Sequence, residues 1–251
     1  VKLCGHATLA ATLALAHWEL LSPGRRLSLH SRSGPLAVEL DPQQHGAASI
    51  ELPAGELHAV PPGPDLLAYL IRHLGVEPEA CWHSELNYRV VLLPQDAPLA
   101  AAPLPAADLP PDVHAGLVLM QSLTCGSPPT VLGRPCDYQL RFLAPGLGIP
   151  EDPVTGSAHA LVAPWWLRRL GRNAVVGWQC SHRPGGMVCE SPSSGMIRLC
   201  GAGHLLWDGT LRLESWPGAE RPSATCGPGS PPMQAPAASG LDWSAWGSLL
   251  P

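Results

Sequence analysis

The sequence predicts an α+β protein built as two lobes, and three observations carry that expectation. Two long apolar segments read as buried helices, short strand-like runs fill most of the remaining chain, and 30 prolines and 26 glycines cut the 251 residues into short elements. Apolar residues make up 45% of the chain and charged residues 14%, enough for a real core and too little charge for a disordered solvating chain.

Taken in order, His6 to Leu21 carries no charge before Glu19 and interleaves Leu9, Ala10, Leu13, Ala14, Ala16 and Leu20, so a helix there is expected to be buried on every side. Arg26 to Ser31 and Leu36 to Leu40 read as strands separated by Ser33-Gly34. Pro64 to Leu74 reads as an amphipathic surface helix, with Pro at its start and Gly75 after its end. Tyr88 to Leu93 and Gly116 to Gln121 are strand signals, and the Pro/Ala-rich stretch from Gln95 to Asp112 between them reads as a loop or weakly ordered connector. Tyr138 to Leu143 is the next strand. Ser157 to Leu170 is the second apolar helix, closing on Arg168, Arg169 and Gly171 as a dipole-matched terminus should. Val175 to Cys180, Met196 to Cys200, and Leu205 to Leu213 broken by Asp208-Gly209 complete the strands. From Glu214 onward Pro, Gly, Ser and Ala dominate, which predicts a disordered tail over 214–251.

Composition removes several function classes. Fifteen Lys and Arg against twenty Asp and Glu give a formal charge of -5, so no basic field is available to hold nucleic acid. No apolar run reaches the roughly 20 residues that a bilayer span needs. The chain opens on Val1-Lys2-Leu3 without a basic and then apolar leader, so it is expected to be cytoplasmic, with sequence missing upstream. Eight cysteines contain no C-x-x-C pair, and the histidines show no H-x-x-x-H spacing, so neither a zinc module nor a metal site is expected.

The chemistry concentrates at two matched helix starts. Cys4-Gly5-His6-Ala7-Thr8-Leu9 and Thr155-Gly156-Ser157-Ala158-His159-Ala160 each place Gly, a polar residue and Ala at the mouth of an apolar helix, which suggests an internal duplication. Glycine there lets a ligand approach the backbone, and the exposed N–H groups with the positive end of the helix dipole attract an anion. Two such mouths on one cleft would bind a carboxylate or stabilise an enolate-like charge. The same pattern also serves as an ordinary N-cap.

Leu3-Cys4-Gly5-His6-Ala7-Thr8 and Glu151-Asp152-Pro153-Val154-Thr155-Gly156-Ser157-Ala158-His159 resemble the two signature motifs of the phenazine biosynthesis-like (PhzF-type) isomerase family. Arg141 to Pro145, Gln179 to Arg183 with Gly185-Gly186, and Asp208 to Leu211 add to the resemblance, which spans roughly residues 1–213. It implies a diaminopimelate-epimerase-like fold: two pseudo-symmetric lobes, each a sheet wrapped around one central helix, with the active site between them. The corresponding division is 1–60 for the remainder of the N-terminal lobe, 61–213 for the C-terminal lobe, and 214–251 for the tail. The implied chemistry is cofactor-independent proton transfer on a small carboxylate-bearing substrate. Carried onto matching positions, His6 and Asp152 are the proton-handling residues, and Gly5, Gly156, Ser157 and Ala158 bind substrate. The family also carries an Asn-x-Ser-Glu segment ahead of the first motif, whose glutamate is its main acid/base. This sequence begins at the motif, and its Ser84-Glu85 does not match that segment, so the first lobe is expected to be incomplete. The resemblance further suggests a homodimer.

Each candidate has a structural alternative. His6 could be a core histidine, Asp152 a turn or capping acid, and Ser157 an N-cap. Cys4 sits where a thiol is acidified, yet the second motif offers no partner cysteine, so it is expected to pack. At the level of the whole protein, the alternative to an isomerase is a non-catalytic binding protein that keeps the scaffold.

Overall fold

A computed structural model of the chain describes residues 5–31, 34–123, 126–193 and 195–210. The tail over 214–251 and Cys4 lie outside the described residues.

The described elements run α1 (Gly5–His17), β1 (Arg26–Ser31), β2 (Gly34–Leu40), β3 (Ala47–Pro53), β4 (Leu57–Ala59), α2 (Pro64–Leu74), β5 (Ala80–Ser84), β6 (Arg89–Leu92), β7 (Leu117–Ser122), β8 (Thr130–Val131), β9 (Arg134–Pro135), β10 (Tyr138–Ala144), β11 (Ile149–Glu151), α3 (Gly156–Leu170), β12 (Ala174–Gln179), β13 (Gly185–Glu190) and β14 (Met196–Ala202). This is the mixed α+β class that the sequence predicts. One sheet runs β1-β2-β3-β14-β13-β12-β10-β7-β6-β5-β4, with β11 on the end of β10, while β8 and β9 form a small hairpin. The pairs β6/β7 and β10/β12 are parallel and the others antiparallel. Parallel neighbours need a crossover. Helix α3 supplies it between β10 and β12, and residues 93–116 supply it between β6 and β7.

Strand β7 shows how the core divides. Val118 and Met120 face the α3 side with Ala158, Leu161, Val162 and Trp166, whereas Leu117 and Leu119 face α2 with Leu66 and Leu70. The strand is buried on both faces, so it reads as a continuous apolar run. Helix α2 begins at Pro64 and ends at Gly75, whose positive φ lets its N–H reach the Ile71 carbonyl. Helix α3 likewise closes on left-handed Gly171 with Arg168 and Arg169 in its last turn.

Three expectations are corrected. The first helix stops at His17, because Glu19 turns left-handed and Leu21 folds back under Leu40 and Ala48. It is not buried all round: Thr12 is its one buried residue, and Trp18 and Leu20 beyond its end are 57% and 65% exposed. Strands β2 and β3 and helix α3 pack against α1. Residues 95–112 form a loop, one of the two alternatives expected, but it is packed and not weakly ordered. They make two 3₁₀ turns and send Ala97, Leu99, Leu104 and Leu109 into the core on α2. Leu205 to Thr210 form no strand, and 211–213 lie outside the described residues. Strand β14 already has β3 and β13 on its two edges, so the chain leaves the sheet after Ala202 and passes α1, where Asp208 lies 3.5 Å from His17.

Candidate functional site

The second motif is built from the sheet outward. Arg141 on β10 donates from Nε and Nη2 to Glu151 on β11 at 2.6 and 2.9 Å, and from Nη1 to the Ala102 and Leu99 carbonyls at 2.6 and 3.3 Å. This buried fork fixes the end of β11, so the next residue, Asp152, leaves the sheet at a set place. Its N–H donates to the Phe142 carbonyl. Three residues later the chain enters α3, with Thr155 at the N-cap and its carbonyl accepting from His159 N.

Asp152, Gly156 and Ser157 are half-buried at this mouth, and Ala158 is fully buried. The Thr155 side chain makes no cap bond to the helix. The N–H groups of Gly156, Ser157 and Ala158 belong to the first turn, where an α-helix has no internal partner for them. A half-buried carboxylate thus stands beside the electropositive start of a helix. The Gln179 side chain, wholly buried at the end of β12, bonds to both Asp152 and Thr155. Ser181 ties the following loop to the Pro153 carbonyl at 2.8 Å, while His182 and Arg183 stay exposed.

Tyr88, just before β6, completes the wall. It is 7% exposed and packs on Phe142. Burial holds its phenol above the ordinary value, a hydrogen bond with Ser157 works the other way, and the Asp152 charge adds to the rise. The sequence marks Tyr88 only as the start of a strand, and no motif spacing singles it out. Thr155 and Gln179 lay within stretches that resemble the family, without roles of their own.

The first motif occupies the start of α1. Gly5 is its first residue, half-buried with open space around the position of a Cβ, and His6 is exposed in the first turn. The two motifs meet on β14. A Cβ on Gly156 would lie 3.5 Å from the Leu199 side chain, and one on Gly201 would lie 3.5 Å from Leu9 of α1. Leu199 and Gly201 share one face of that strand, so both helices start over the same stretch of sheet, in contact with each other. His6 and Asp152 remain on separate elements. His159 and Trp166 are core residues.

Among the described residues, Glu56, His58 and Glu85 bring side-chain ligand atoms within 4.8 Å of one another, all exposed at the β4 edge of the sheet. No described helix is long and apolar enough to cross a membrane.

Comparison with known proteins bears on the family and the fold. The family model described as "Phenazine biosynthesis-like protein" matches residues 1–192. An uncharacterized isomerase of Pseudomonas aeruginosa is 34% identical over 216 residues, covering 85% of this chain and 74% of that protein. A human phenazine biosynthesis-like domain-containing protein is 28% identical over 219 residues, covering 84% and 73%. Among solved structures, a PhzF-family phenazine biosynthesis protein from Enterococcus faecalis superposes with a TM-score of 0.65 at 27% identity, covering 80% of this chain and 70% of that one. A Pseudomonas aeruginosa protein described as a predicted epimerase gives 0.57 at 19% identity, covering 83% and 76%, a likeness of fold.

Proposed function

Because the chain belongs to the phenazine biosynthesis-like protein family, we propose that it is an isomerase that moves a proton on a small carboxylate-bearing molecule held at the two helix mouths. The observation that carries this reading is the start of α3, where the half-buried Asp152 carboxylate precedes three helix N–H groups that lack a side-chain cap. Gly156, Ser157 and Ala158 would hold the substrate carboxylate or the enolate-like charge through those N–H groups. Asp152 would take the proton from carbon or return it, and Tyr88 would close the wall beside Ser157. His6 and Gly5 would serve the second mouth, with the imidazole as a second proton-handling group.

The test is deuterium uptake from deuterated buffer into a panel of small carboxylates, followed by NMR. Asp152→Ala and His6→Ala should each reduce uptake by about 10² or more while the fold is kept, the scale of one positioned acid/base group. Uptake unchanged in both variants would overturn the proposal. A folded wild type that takes up no deuterium while binding a carboxylate would favour the non-catalytic reading.

A further inference from the structure

We propose that Thr155 and Gln179 are positioning residues for Asp152, fixing its carboxylate through Oδ2 so that Oδ1 is the oxygen that handles the substrate proton. This rests on the isomerase reading above.

The direction of every hydrogen bond in the cluster is determined. The Thr155 N–H donates to Gln179 Oε1 at 2.7 Å, which settles which end of the side-chain amide is the oxygen. The opposite end, Nε2, then donates to the Asp152 carbonyl at 2.5 Å and to Thr155 Oγ1 at 3.2 Å. A hydroxyl that accepts there has its single proton left to give, and it gives it to Asp152 Oδ2 at 2.5 Å. A backbone N–H, a buried amide, a hydroxyl and a carboxylate thus form one polarised chain. Gln179 and Thr155 are buried, so little water competes for these bonds.

The arrangement also departs from what a threonine usually does at this position. An N-cap threonine ordinarily accepts a hydrogen bond from the first turn of its helix. Here the cap bond is absent and the hydroxyl serves the carboxylate, which leaves the first-turn N–H groups for a ligand. A purely structural cap would do the reverse. The clamp holds one carboxylate oxygen and leaves the other for the substrate proton, an arrangement suited to general acid/base transfer.

The experiment compares wild type, Thr155→Val, Thr155→Ser and Asp152→Ala. Valine keeps the shape of threonine without the hydroxyl, and serine keeps the hydroxyl. Using the carboxylate that takes up deuterium fastest, Thr155→Val should lower kcat by about tenfold or more with KM changed less than about threefold, and Thr155→Ser should stay within about threefold of wild type. NMR of the wild type should also show a slowly exchanging Thr155 hydroxyl proton that disappears in Asp152→Ala. That signal is read on unaltered protein, so its absence from the folded wild type overturns the proposal even where Thr155→Val does not fold. Wild-type uptake that Thr155→Val leaves unchanged, or a rise in KM alone, overturns the positioning role and spares the isomerase reading. No uptake by the folded wild type overturns the isomerase reading and the positioning role with it.

Discussion

Replacing Glu151 by Gln tests whether the fork beneath the site holds the protein together. Arg141 and Glu151 have side-chain exposures of 10% and 16%, and the guanidinium makes four hydrogen bonds, two to the carboxylate and two to the Ala102 and Leu99 carbonyls. Glutamine offers one acceptor where glutamate offers two, and it turns an NH2 toward a guanidinium N–H while removing the countercharge. Breaking a buried pair from one side costs about 3–5 kcal/mol, and the remaining contact with water lowers this to about 2–3. With a urea slope of about 2 kcal/mol per M, the unfolding midpoint should fall by about 1 to 1.5 M at unchanged slope. The double variant Arg141→Met, Glu151→Leu removes both charges and should recover part of the loss, because well-packed apolar groups often replace a buried pair without penalty. A shift within about 0.5 kcal/mol for Glu151→Gln would place the pair in the surface class. That result, or a double variant less stable than Glu151→Gln, would refute the argument.

Three more outcomes are expected. Burial lowers the His159 imidazole to about 3, below its unfolded value near 6.5, so the unfolded chain binds the extra proton and stability is lost as pH falls through that interval. Between pH 7 and pH 5 this amounts to about 2 kcal/mol, measurable as a drop in urea midpoint that His159→Leu should largely remove. In Gly177→Ala the new Cβ would stand 2.5 Å from His159 Nδ1 and from the Tyr138 hydroxyl, both buried and hydrogen-bonded to each other at 2.9 Å. Overpacking of this kind should destabilise by about 1–3 kcal/mol, and an unchanged melting temperature would contradict it. Trp18 and Leu20 stand out in solvent beyond α1, so Trp18→Gln with Leu20→Gln should leave the unfolding midpoint within about 0.5 kcal/mol of wild type and lower ANS binding.

How much of this was legible depends on whether the signal is local. Helix α2 could be bounded to the residue because Pro64 and Gly75 act through their own backbone angles. Strand β3 was missed: Ala47, Ala48 and Ser49 carry no β-branched signal, and the strand is made by β2 and β14 on its two sides. The stretch 95–112 looked like a linker because its prolines are local, whereas the Leu99 and Leu104 contacts that order it come from α2 and β7, distant in sequence. At the site, Asp152, Gly156, Ser157 and Ala158 were readable from one contiguous motif. Gln179 reaches that motif across 24 residues of chain and Tyr88 across about 70, so no spacing rule within a motif could have identified either.

The two motifs look alike in sequence and differ in how they are held. Around Asp152 the Thr155 hydroxyl binds the carboxylate, while the Gln179 amide and the Arg141–Glu151 fork hold the backbone next to it. His6 sits exposed in the first turn of α1, on a helix with one buried residue. A substitution near Asp152 therefore perturbs the local fold as well as the proposed proton transfer. A substitution at His6 touches little of the core, so its stability effect should stay within the surface range of about 0.5 kcal/mol. This asymmetry makes His6→Ala the cleaner functional test. A loss of proton exchange in His6→Ala would therefore not be traceable to unfolding, whereas the same loss in Asp152→Ala counts only once the fold of that variant is shown to persist.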